Sequence, residues 1–293
     1  MRGTIEMAAA MGISGTISWV VIQADQPVVS LVFWRCVIGA LALGVVYWAL
    51  GAHRGAINKR TIVLAALGGG AVVANWLLLF AAFPLASISI ATAVYSTQPF
   101  ILVGLGAMFL GERLTVGKFF WLGVAFVGVL IITQARPSAD YVGTGYLGGI
   151  ALAFGAAFFY ALASILAKKL QGTPPHLVTL LQVIAGAILL APFVDLADLP
   201  SDRAAWTNVA ALGIIFTGLT FTLQYGAIQR LPTHLLGSLY FVYPAVAIFV
   251  DIVGFEHQLQ VAEVLGVATI LFGTAGMNLN WSFAGLRRIA WKR

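Results

Sequence analysis

Polar side chains interrupt four of the chain's apolar stretches, and they do so in clusters. Asn75 and Trp76 stand in one, and Ser89, Thr92, Tyr95, Ser96, Thr97 and Gln98 in the next. Thr217, Thr220, Thr222, Gln224 and Tyr225 mark a third, and Ser238, Tyr240 and Tyr243 a fourth. Thr92 and Ser96, four residues apart, share a helix face beside Tyr95. In apolar surroundings such hydroxyls and amides either tie helices together, at roughly 1 kcal/mol per bond, or line a wet cavity. For the cluster as a whole the cavity is the expectation, with Asn75, Thr92, Tyr95, Ser96, Thr220, Gln224, Tyr240 and Tyr243 as candidate binding residues. Aromatic rings near the middle of the stretches, Trp19, Trp76, Phe80 and Tyr160 among them, suit an aromatic side chain or flat cation stacked between them. Phe158, Phe159, Phe216 and Phe221 belong to the same set, and any single ring also reads as packing or lipid contact. Pro99 and Pro244 each remove a backbone hydrogen bond and are the candidate hinges.

Arg35 is the one basic residue placed well inside an apolar stretch rather than at its end. It could snorkel to the surface, cap helix ends or attract a carboxylate, and snorkelling or structural use is the expectation. No Asp or Glu occupies the middle of a stretch; Glu112, Asp195 and Asp251 fall at ends, and Glu6 lies close to one. The lone cysteine, Cys36, excludes an intrachain disulfide, and no metal or cofactor site is expected. Gly12-Ile13-Ser14-Gly15 superficially matches an intramembrane serine-protease motif, with His234 and Ser238 as a spaced pair. A nucleophile needs a base within hydrogen-bond reach, and these residues belong to different stretches. Catalysis is therefore the minor alternative, and a channel, lacking charged rings, is another.

The elements that must hold these residues follow from composition. Of 293 residues 61% are hydrophobic and 9% charged, which excludes a soluble enzyme or a nucleic-acid binder. Ten segments can each span about 30 Å of hydrocarbon: 4–22, 29–49, 61–83, 86–110, 116–134, 145–169, 177–195, 204–228, 233–253 and 261–280. We number them spans 1 to 10. Pro84 and Pro232 read as tight turns after spans 3 and 8. Thirteen of 16 Lys and Arg fall on the side that holds both termini, against Arg136 and Arg203 opposite, so both termini are expected in the cytoplasm. Trp48, Trp206, Trp281 and Trp291 read as interfacial anchors.

The chain repeats internally. Ala65-Ala66-Leu67-Gly68 recurs as Ala210-Ala211-Leu212-Gly213, and Tyr95…Pro99 as Tyr240…Pro244, both at an offset of 145. Pro27, Arg35 and Gly39 align with Pro174, Gln182 and Gly186 at 147, and Gly111-Glu112 faces Phe255-Glu256. Each half (1–140 and 141–293) then holds five spans. Five is odd, so the second half crosses in the opposite direction. The fold class is an all-α polytopic membrane protein of ten helices in two inverted five-helix repeats, a plan that places a binding site near the midplane. Spans 3, 4, 8 and 9 would line it, with spans 1 and 6 as moving walls.

On these features the chain resembles the ten-helix EamA branch of the drug/metabolite transporter superfamily over nearly its whole length. The resemblance rests on the 5+5 repeat, on Arg35, on Tyr95-Ser-Thr-Gln-Pro99…Gly111-Glu112-Arg113-Leu114, and on Gly123…Gly128 and Gly266…Gly273. It implies secondary transport by alternating access in a bacterial inner membrane, exporting small metabolites. Amino acids lead, and aromatic ones first, since the chain looks most like the YddG-type exporters; a multidrug carrier is the alternative. The expected partners are a small-molecule substrate and the lipid bilayer, not nucleic acid, with a monomer sufficing. Without a mid-span carboxylate, facilitated export of a neutral or zwitterionic solute is expected over proton antiport.

Overall fold

The computed structural model describes residues 2–24, 26–50, 58–86, 91, 94–112, 115–135, 145–195, 203–243, 245–246, 261–279 and 281, and among them there is no strand. The expected boundary near residue 140 lies outside them. Among the described residues five helices are long and apolar enough to cross a membrane unaided: Val28–Ala49, Lys59–Ala86, Leu147–Lys169, Pro175–Phe193 and Arg203–Arg230. They are spans 2, 3, 6, 7 and 8. Further helices are Gln98–Leu110 in span 4, Val116–Ala135 as span 5, Thr233–Tyr240 in span 9 and Val261–Asn278 as span 10.

The repeat is visible in local geometry. Spans 2 and 7 each start behind a proline, Pro27 (φ −52°, ψ 135°) and Pro174 (φ −53°, ψ 132°), whose fixed φ sets the same entry into both helices. It is equally visible in the packing. Span 3 lies against span 6 as span 8 lies against span 1, and span 3 meets span 7 as span 8 meets span 2. Spans 2 and 7, 4 and 9, and 5 and 10 pair across the relation that exchanges the halves. Small residues let these helices approach closely. A Cβ on Gly128 would sit 2.6 Å from the Gly266 carbonyl oxygen, and one on Gly273 2.6 Å from the Ala125 nitrogen, so spans 5 and 10 touch backbone to backbone.

Several of the described spans depart from regular helix. Span 1 is split into Arg2–Gly15 and Ile17–Ala24, with the Thr16 N–H and hydroxyl both donating to the Ile13 carbonyl at 3.1 and 2.8 Å. In span 4 a turn at Ser96 and Thr97 precedes the helix Gln98–Leu110. Pro99 is thus in the first turn of a helix rather than inside one, where its missing N–H costs nothing. The break in span 4 lies just before it. Pro84 is the converse case. Lys59–Ala86 runs through it rather than turning there, because only the bond to Phe80 is lost and the helix ends two residues later. Span 8 contains a π-helical stretch, Ile214–Leu219, that nothing in its apolar pattern announces.

Candidate functional site

A polar network crosses the bundle, drawing one or two side chains from each of five spans. Asn75 of span 3 donates through Nδ2 to the Tyr95 hydroxyl of span 4 (3.2 Å) and to the Ala156 carbonyl of span 6 (2.9 Å). The Tyr95 ring lies 6.0 Å from that of Tyr160 on span 6, which in turn meets Tyr240 of span 9 edge-on at 5.5 Å. Gln224 of span 8 joins the two tyrosines, Nε2 donating to the Tyr160 hydroxyl at 2.7 Å and the Tyr240 hydroxyl at 2.8 Å. Ser164 donates to the Tyr160 carbonyl (2.9 Å), so the 3.1 Å bond between Ser164 and Tyr240 has the tyrosine as donor. Apolar residues above and below cannot replace these bonds, so the amides and hydroxyls must satisfy one another or a solute.

Of the residues expected at a site, Asn75, Tyr95, Tyr160, Gln224 and Tyr240 meet here. Ser96 is buried beside Tyr95, and Tyr243 packs, partly buried, on the same core. Thr220 does not join them: its hydroxyl bonds back to the Ile215 carbonyl at 2.8 Å, serving the π-helical stretch. Phe80 packs on Phe83 (6.1 Å) and, like Tyr243, lies partly buried against that same core. Thr92, Pro244 and the Trp19 side chain lie outside the described set. Ser14 and His234 form no hydrogen bond with each other among the described residues; His234 lines a cleft at the end of the bundle opposite Trp206.

Arg35 does not snorkel; of the two expected uses, its contacts serve the structural one. It is 2% exposed, the largest fully buried side chain described. Distance from a helix end does not say which way a residue faces, and this one faces span 8. Nε donates to the Thr217 hydroxyl at 2.6 Å and Nη2 to the Phe216 carbonyl at 3.1 Å, with the guanidinium 3.9 Å above the Trp76 ring. The π-helical stretch explains the fit. Wider winding frees carbonyls, which in lipid must find donors within the protein. Arg35 takes Phe216, while the hydroxyls of Thr217, Thr220 and Thr222 take Leu212, Ile215 and Gly218. That run of threonines is the only sequence sign of the irregularity.

At the basic end two carboxylates bind one half to the other. Glu112, at the close of span 4, accepts the Thr233 N–H at 3.0 Å, the Thr233 hydroxyl at 2.6 Å and the Lys168 ammonium at 2.9 Å. Gly111 makes the turn that aims it, at φ +66°. Burial alone would raise the Glu112 pKa, but the Thr233 hydroxyl and Lys168 outweigh it and hold the carboxyl below its ordinary range. Glu6 of span 1 pairs with Arg230 of span 8 and with Arg2. Between the clamps lies a cleft of about 310 Å³ lined by Lys118, Lys168, Arg230 and His234 among others.

The family model for the EamA-like transporters matches residues 4–134 and, a second time, residues 147–279. The chain belongs to the EamA-like transporter family. This EamA-like transporter is 32% identical to the uncharacterized transporter YxxF of Bacillus subtilis, over 92% of its own length and 88% of the relative's. It is 29% identical to the threonine/homoserine exporter RhtA of Escherichia coli K12, over 55% of this chain and 54% of that one. A probable amino-acid metabolite efflux pump of Salmonella typhimurium is 25% identical over 69% of this chain and 70% of its own. A solved protein structure shares the fold, with a TM-score of 0.82 at 22% identity over 94% of this chain and 96% of that one. The relatives and family are transporters, so the EamA-like chain is a multi-pass membrane transporter of the drug/metabolite superfamily.

Proposed function

We propose that this EamA-like transporter exports small zwitterionic metabolites, amino acids first, by alternating access, with Asn75, Tyr95, Tyr160, Gln224 and Tyr240 forming the solute site. The observation that carries this reading is the network itself. Tyr95 of one half and Tyr240 of the other, equivalent by the repeat, reach the same buried cluster from opposite halves. A solute held there touches both bodies whose relative motion would carry it across. The amino-acid class draws further support from relatives named as amino-acid exporters. Within it the ring-lined network favours aromatic amino acids over threonine-sized ones.

The Lys and Arg count argues that both termini face the cytoplasm of a bacterial inner membrane. The Glu112 and Glu6 clamps then close the cytoplasmic end, which fits a state waiting to release outward. One chain contains both halves, so a monomer suffices.

Proteoliposomes loaded with labelled phenylalanine, threonine or a cationic dye test the reading. The expected result is saturable efflux of phenylalanine, slower efflux of threonine and no efflux of the dye. Efflux of the dye alone would transfer the chain to the multidrug class. Tyr95→Phe and Tyr240→Phe are each expected to slow phenylalanine efflux about tenfold, equivalent to one lost hydrogen bond in a buried site. Unchanged kinetics in both variants would remove the network from the site.

A further inference from the structure

Arg35 has a donor left over. Nε and Nη2 are bound to span 8, but Nη1 is sealed within the protein and meets no acceptor among the described residues. Nor does Arg35 form an ion pair among them. Glu6 and Glu112 are engaged at the basic end, and Asp195 is exposed beyond span 7. A guanidinium keeps its charge at any physiological pH, and a buried charge with no counter-ion is costly, above all in a membrane bundle. An arrangement of this kind is stabilised when an anion comes to it.

Where that anion would sit follows from the neighbours. Trp76 covers the guanidinium and adjoins Asn75 of the network; Phe221 meets the Trp76 ring edge-on at 5.5 Å. Thr217, bound to Arg35, and Gln224, bound to the tyrosines, stand two turns apart on span 8, roughly 10 Å along the axis. One end of this strip carries a positive charge, the other hydroxyls and rings. The equivalent position in the second half holds Gln182, whose Oε1 accepts the Tyr225 hydroxyl and which brings no charge. The pair of halves therefore offers one cation, for one anionic group.

We propose that Arg35 Nη1 receives the carboxylate of the transported solute, so that a carboxylate is required for transport and cationic drugs are rejected. This rests on the transporter reading above and narrows its substrate class. Charge-assisted bonds from arginine to carboxylate are among the stronger ones a protein makes, and Trp76 fixes the guanidinium plane for them.

Benzoate and benzamide, rings of one size that differ in charge, separate this proposal from the transporter reading. Thermal unfolding of the purified full-length protein in detergent is followed with each at millimolar concentration. Benzoate is expected to raise the unfolding temperature and benzamide is not. Arg35→Gln should abolish the benzoate shift, while Arg35→Lys, which keeps the charge, should retain part of it. Equal shifts from both probes, or a benzoate shift that survives in Arg35→Gln, would overturn the proposal. In proteoliposomes phenylalanine should outrun phenylalaninamide more than tenfold, and Arg35→Lys should shrink that ratio. If both solutes move equally fast, the anion site fails and the transporter reading stands. If benzoate binds through Arg35 while no solute moves, the anion site stands and the transporter reading fails. Should Arg35→Gln not fold, Arg35→Lys and the wild-type contrast between the two probes decide alone.

Discussion

Replacing Glu112 with Gln should open the basic end of the bundle. The carboxylate takes three donors from the second half: the Thr233 N–H, the Thr233 hydroxyl and the Lys168 ammonium, which also donates to the Leu231 carbonyl at 2.6 Å. A neutral amide keeps the shape but loses the charge. Bonds to a charged group contribute about 1.5–3 kcal/mol each in favourable settings. The Glu112 and Lys168 side chains are 19% and 15% exposed, so solvent screens part of that gain. A net loss of about 2–3 kcal/mol for the clamp is expected, or roughly 30- to 140-fold in the ratio of closed to open states. Ser238 provides the reporter. It is 1% exposed, lies on span 9 beyond Thr233, and differs from cysteine by one atom. The native Cys36 is fully buried and gives a quiet background. Maleimide labelling of Ser238→Cys should be slow in the otherwise wild-type protein and at least tenfold faster with Glu112→Gln. Equal rates in the two backgrounds would refute the clamp.

The same clamp carries a pH dependence. Because the Glu112 pKa lies below its ordinary value of about 4.5, its contribution is complete above that value and is lost as pH falls through the lowered one. Labelling of Ser238→Cys, normalised to the denatured protein, should therefore be level from pH 5 to 8 and rise only in stronger acid; a rise near pH 6 would contradict the assignment. Gly273→Leu should destabilise the protein by about 1–3 kcal/mol through overpacking against Ala125. A lowered thermal midpoint checks this, and an unchanged one would mean that spans 5 and 10 can separate. Thr217→Val removes the hydroxyl that receives Arg35 Nε and should lower the thermal midpoint by several degrees, corresponding to about 1–3 kcal/mol; no change would show the Arg35 contact to be idle.

Periodicity and composition made the spans readable because a bilayer demands long apolar runs. The repeat was readable because equivalent positions do equivalent jobs: Pro27 and Pro174 start helices at the same angles, and Gly128 and Gly273 each admit the backbone of the facing span. Tyr95 and Tyr240 could be paired on the same ground. What stayed hidden depends on direction and on distant partners. Arg35 looks alike in sequence whether it turns to lipid headgroups or to Thr217, 182 residues away. Glu112 stands out in sequence as an acid at a span's end within a repeated motif, but its partner Thr233, 121 residues on, does not show there. The π-helical stretch in Ile214–Leu219 leaves no mark in hydropathy, since one extra residue in a turn changes register and not composition. Pro84 shows that a breaker near a helix end need not break it.

The central claim is that two inverted halves carry a solute between them rather than forming a pore or an enzyme. Counterflow tests it most directly. Proteoliposomes preloaded with unlabelled phenylalanine are diluted into labelled phenylalanine, and internal label is followed over time. A carrier should accumulate label transiently above its equilibrium level, and Gln224→Leu should reduce that overshoot. Entry of label that approaches equilibrium without overshoot, at a rate indifferent to the preload, would contradict alternating access.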